Sequence, residues 1–118
     1  MLDTTQLNLE LVVENISLIE HRFQKIKTAT DFVDSDEGLI TLDSIAMRLQ
    51  FMEECIKRID KSDTAFFAAH QNIEWSKIIN LRDFISHHYE MLNQEIIFNI
   101  CSVYITPLKI SIQQILIK

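Results

Sequence analysis

A chain of 118 residues with one glycine, one proline and 47% hydrophobic residues has room for a single hydrophobic core and lacks the frequent tight turns that β-rich folds need. Its formal charge of −6 excludes broad, non-specific nucleic-acid binding, which draws on many Lys and Arg neutralising phosphates. The expectation is one all-α domain over residues 1–118, an antiparallel up-and-down bundle of four to five helices.

The opening stretch MLDTTQLNLE has neither the basic segment nor the unbroken apolar run of a secretory signal, so a cytoplasmic location is expected. From Leu9, the positions Leu9, Val12, Ile16, Ile19, Phe23 and Ile26 step by three and four, the stripe of an amphipathic first helix. Leu11 and Leu18 form a second stripe, which predicts that this helix buries two faces.

ATDFVDSDEGLI then breaks the period with three aspartates, a serine and the sole glycine, as a loop does. A second helix follows on Leu42, Ile45, Leu49, Met52, Ile56 and Ile59, with Asp43, Arg48, Glu53, Glu54, Lys57 and Arg58 on its other faces. DKSDTAFFAAH loses the period again. Asn72 or Ser62 is the candidate cap of a third helix that buries Trp75, Ile78, Ile79 and Ile85. The fourth helix runs on Ile96, Ile97, Ile100, Val103, Tyr104, Leu108, Ile112 and Ile115, and Pro107 is expected to kink it.

The C-terminal run IIFNICSVYITPLKISIQQILI is apolar and about as long as a membrane span. Asn99, Pro107, Lys109, Gln113 and Gln114 each cost free energy in lipid, and no basic cluster flanks the run. A helix buried on most sides of a bundle or dimer is therefore expected, with no membrane partner. Cys55 and Cys101 lack the spacing of a zinc or redox pair and read as buried free thiols.

Chemistry concentrates in RDFISHHYE, residues 82–90, near the end of the third helix. On an ideal helix Arg82 and Tyr89 share one face and Asp83 and His87 another, while Arg82 and His87 lie about 140° apart. They converge on one substrate atom only if the helix is distorted or ends nearby, or if a second copy of the chain brings in its own pair. His87 is suited to proton transfer near neutral pH, with Asp83 holding its ring in one tautomer. Arg82 offers a planar, permanently charged fork for a phosphate. This set suits metal-independent RNA cleavage, with the ribose 2′-OH as internal nucleophile. No Gly-rich phosphate loop or Mg²⁺-type carboxylate cluster is evident in the sequence, and no cofactor is expected. Residue chemistry alone leaves a second reading open, in which the Arg and His side chains are solvated or structural groups at a helix end and Tyr89 lies at the core edge.

The motif resembles that of the HEPN superfamily, and within it the HepT-like toxins encoded beside a minimal nucleotidyltransferase (MNT) antitoxin. The family pattern, an Arg, four residues, His, one residue and Tyr near the end of the third helix, is met by Arg82, His87 and Tyr89. The position after the Arg is often Asn in the family and is Asp83 here. Trp75 upstream and the Pro107–Leu108–Lys109 run in the last helix fit as well.

The resemblance implies a homodimeric ribonuclease with Arg82 and His87 of both copies lining one cleft. It further implies neutralisation by the nucleotidyltransferase, which in this family can transfer AMP to the motif tyrosine, here Tyr89. Lys77 and His88 are candidate RNA contacts, and Arg58 with Lys61 is a further local source of positive charge. The competing expectation is a non-catalytic helical module that binds a nucleotidyltransferase partner or a nucleotide.

Overall fold

The Leu9–Val12–Ile16–Ile19 stripe is wholly buried along one side of α1 (Asp3–Phe23), as a three-and-four spacing requires. The computed structural model describes residues 1–87 and 91–117, and of His87 and Met91 it describes the backbone alone. The second stripe departs from expectation. Leu11 is half-buried against the core but Leu18 lies exposed, so α1 buries one face and the flank beside α2.

α2 (Asp36–Ser62) carries the longest stripe, with Leu42, Ile45, Leu49, Met52, Ile56 and Ile59 all buried. It begins within the segment expected to be loop. Ser35 Oγ accepts the Gly38 N–H at 2.9 Å, and Asp36 and Glu37 occupy the first turn, where acids suit the positive helix end. Before it, Ala29–Phe32 form a 3₁₀ turn whose Thr28 and Asp31 cap each other reciprocally.

Gly38 answers to space rather than to chain reversal. A Cβ there would lie 2.0 Å from the Asp31 carbonyl oxygen, so only glycine lets this turn lie against the helix start.

The third expected helix is three short ones. α3 (Thr64–Ala69) forms where no period was evident, and α4 (Trp75–Ile79) and α5 (Leu81–Ile85) are separated at Asn80. Neither expected cap serves: Ser62 closes α2, its hydroxyl donating to the Arg58 carbonyl at 2.8 Å, and Glu74 rather than Asn72 precedes α4. An aromatic cluster holds the connection instead, with Phe67 stacked on Trp75 at 5.0 Å and the Trp75 indole N–H donating to the His70 carbonyl at 2.8 Å.

After α5 the chain forms a two-residue antiparallel ladder, β1 (Ser86–His87) with β2 (Met91–Leu92), Ser86 opposite Leu92 and His87 opposite Met91. The ladder is a local clasp on an all-α fold. Helix then runs without interruption as α6 (Gln94–Asn99), a π segment (Ile100–Tyr104) and α7 (Ile105–Leu116). Pro107 stands in the first turn of α7, three residues after the π segment ends, and has no N–H to give to the preceding turn.

Among the described residues, Gln94–Leu116 is the one helix long and apolar enough to cross a membrane. It is less enclosed than expected, since Val103 and Ile110 are exposed. Its other face is that of a bundle helix: Leu108, Ile112 and Ile115 are buried, and Glu20 of α1 accepts hydrogen bonds from Thr106 and Lys109. α1, α2 and α7 thus enclose the core, with α3–α5 laid across α2. Both cysteines are buried and free. Burial pushes the Cys101 thiol up to about 12 and raises that of Cys55, which leaves neither a ready nucleophile.

Candidate functional site

The site is built on the five-residue helix α5, whose position is set at both ends by side chains and backbone from elsewhere. At its start the Asn80 side chain donates to the Ser76 carbonyl at 2.9 Å, competing with the backbone and interrupting the helix. The Arg82 N–H, an orphan donor of the first turn, finds its acceptor in Glu53 Oε1 of α2 at 2.7 Å. Glu53 is only 5% exposed, and its other oxygen accepts from Lys57 at 2.9 Å. The Arg82 guanidinium is exposed and reaches Gln50 Oε1 at 3.4 Å.

At its end α5 stops at Ile85, because Ser86 is extended (φ −122°, ψ 139°). The Ser86 hydroxyl takes the Arg82 carbonyl at 2.9 Å, and the Asn93 N–H takes the Ile85 carbonyl at 2.8 Å. Two of the four carbonyls that a continuing helix would have bonded are therefore occupied. This overturns the ideal-helix geometry: Asp83 and His87 are not one helical turn apart, and the 140° separation of Arg82 from His87 does not apply. The expectation that the helix either ends nearby or needs a second copy is met in its first form.

Asp83 is exposed and makes no hydrogen bond or ion pair among the described residues. His87 enters through its backbone, in the ladder with Met91. Tyr89 and His88, the expected modification site and RNA contact, lie outside the described residues. Lys77 is exposed on α4 and paired with Glu74 at 3.3 Å, which offsets its charge locally.

Two residues beside Arg82, Glu53 and Gln50, were not singled out from the sequence. Glu53 follows Leu49 by four and precedes Ile56 by three, at the edge of the buried face of α2, where a carboxylate signals a buried partner; Gln50 joins the site when α5 docks. Next to Gln50, the guanidinium groups of Arg48 and Arg58 lie 5.7 and 5.6 Å from the Phe51 ring centre, and Arg48 also donates to Asn15 Oδ1 of α1 at 3.1 Å. Among the described residues no three His, Cys, Asp or Glu side chains gather as a metal site would need.

No curated protein and no solved structure matches the chain. The family model of the HepT-like ribonucleases matches residues 12–115, from the buried stripe of α1 through α5 and the motif to the end of α7. With that match spanning most of its length, the chain belongs to the HepT-like ribonuclease family of the HEPN superfamily.

Proposed function

We propose that the chain is the toxin ribonuclease of a HEPN/MNT toxin–antitoxin pair, cutting cytoplasmic RNA without a metal ion at a cleft completed by a second copy of the chain. The observation that carries this reading is the ribonuclease family match over residues 12–115, within which Arg82 stands on a helix pinned at both ends.

In the reaction His87 takes the proton of a ribose 2′-OH, whose oxygen attacks the adjacent phosphorus. The P–O5′ bond breaks, the leaving O5′ takes its proton from the imidazolium of His87 of the second copy, and the products are a 2′,3′-cyclic phosphate and a 5′-hydroxyl. Arg82 stabilises the charge that builds on the phosphate oxygens. Asp83, exposed on α5 four residues before His87, is assigned to hold the imidazole in one tautomer. Lys77 and His88 supply further contacts to the strand.

A second copy has a surface to cover beside Arg82. Ile40 and Met47 are seven residues apart on the outer face of α2 and are 62% and 58% exposed, and Gln50, the Arg82 contact, follows three residues after Met47. Neutralisation is assigned to a nucleotidyltransferase partner that transfers AMP to Tyr89, adding an anionic phosphate close in sequence to Arg82.

Induced expression tests the reading. Growth arrest with wild type and normal growth with Arg82→Ala and with His87→Ala is the expected outcome. A wild type that is tolerated and co-purifies with a nucleotidyltransferase without cutting RNA supports the non-catalytic module instead.

A further inference from the structure

We infer that the cleft between α4–α5 and the π segment is a subsite for a nucleobase. This deepens the ribonuclease reading and rests on it for the source of the base, an unpaired nucleotide of the RNA strand.

The cleft encloses about 340 Å³, inside the range of roughly 300–1,000 Å³ typical of small-molecule sites. Both of its walls are places where helix regularity fails, at Asn80 on one side and across Ile100–Tyr104 on the other. π segments of this kind are frequent at functional sites. Buried Leu81 and Ile100 form an apolar base to the cleft, and Phe84 and Tyr104 supply two aromatic rings. Phe84 is 64% exposed, a large apolar surface left uncovered within the chain.

The polar groups suit a heterocycle edge. Asn80 donates an amide N–H to Ser76, and its side-chain oxygen accepts no hydrogen bond among the described residues. The Asn99 amide makes no hydrogen bond among the described residues, so it offers both a donor and an acceptor to a base edge. Lys77 at the rim is balanced by Glu74, which favours a neutral ring over a phosphate inside the cleft. Single-stranded RNA is commonly held by stacking unpaired bases on aromatic side chains. Phe84 and Arg82 stand two residues apart on α5, about 200° around the helix, so a base seated against Phe84 belongs to a nucleotide further along the strand than the phosphate that Arg82 holds on the α2 side.

Mononucleotides test this without any RNA cleavage, since they contain no internucleotide bond. Full-length wild type, Asn99→Leu and Phe84→Ala are titrated with the four nucleoside 5′-monophosphates and with ribose 5-phosphate, read by ligand-detected NMR, with light scattering on each protein. At least one nucleotide is expected to bind tenfold or more tighter than ribose 5-phosphate, and both substitutions are expected to weaken it at least fivefold at unchanged oligomeric state. Equal binding of ribose 5-phosphate overturns the subsite. So does a Phe84→Ala protein that loses its dimer while nucleotide affinity stays unchanged, which would make Phe84 a contact between copies. Nucleotide binding in a protein that cleaves no RNA leaves the subsite in place and removes the ribonuclease reading, assigning the base to a free nucleotide.

Discussion

Glu53 holds a carboxylate almost out of solvent in order to accept one backbone N–H, that of Arg82. Burying such a group costs free energy unless its oxygens are satisfied, and here Arg82 and Lys57 satisfy one each. Glu53→Ala leaves the Arg82 N–H without its acceptor and is expected to destabilise the fold by about 1–3 kcal/mol, measured by urea unfolding. It is also expected to slow RNA cleavage by roughly ten- to a hundredfold through displacement of Arg82. Glu53→Gln keeps an acceptor oxygen and should retain most of the activity; equal loss in both variants would show that charge, not the hydrogen bond, is what Arg82 requires. Arg82, His87 and Tyr89 stand out in sequence because their spacing is a family pattern, and of the three the structure describes the side chain of Arg82 alone. Glu53 was not picked out, although it follows Leu49 by four and precedes Ile56 by three at the edge of the buried face, because its role as acceptor depends on a helix 29 residues further along.

At the scale of elements, helices with long apolar stripes were readable and helix ends were not. α2 follows its stripe closely, whereas the ends of α4 and α5 depend on the Asn80 side chain and on a hydrogen bond from Asn93, neither of which has a periodic signature. The loop expected over residues 29–40 failed for a similar reason: Ser35 starts α2 early, and the glycine taken for a turn signal is there for close approach. Gly38→Ala forces a methyl group into the Asp31 carbonyl and is expected to cost roughly 1–3 kcal/mol, seen as a lowered denaturation midpoint with an unchanged slope. The joint between α1 and α7 predicts a pH dependence. Burial works to raise the Glu20 carboxyl, but hydrogen bonds from Lys109 and Thr106 together with the Lys109 charge outweigh it and hold the group below its ordinary value of 4.5. A depressed folded value means that this stabilisation is fully present above the ordinary value and is lost as pH falls through the folded one. Acid unfolding of Glu20→Gln should therefore be less steep below about pH 4.5, and an identical acid profile would remove Glu20 from the account.

For the whole molecule, the all-α bundle and its single domain-sized core were evident from one glycine, one proline and the three-and-four spacings. The net charge was a poorer guide, because it averages over a surface on which Arg48 and Arg58 flank Phe51 and Arg82 reaches the neighbouring Gln50. A dimer no longer follows from helix geometry, since α5 ends at Ile85; its support is the family pattern and the exposed Ile40–Met47 stripe beside the site. The central claim is that Arg82 and His87 cut RNA by themselves, through the ribose 2′-OH. The most direct measurement incubates purified wild type, Arg82→Ala and His87→Ala with a defined single-stranded RNA in excess EDTA and identifies the product ends by mass spectrometry. Wild type is expected to leave 2′,3′-cyclic phosphate and 5′-hydroxyl ends, and either variant to lose at least about a hundredfold in rate. Cleavage that stops in EDTA, or that persists unchanged in His87→Ala, would contradict the claim.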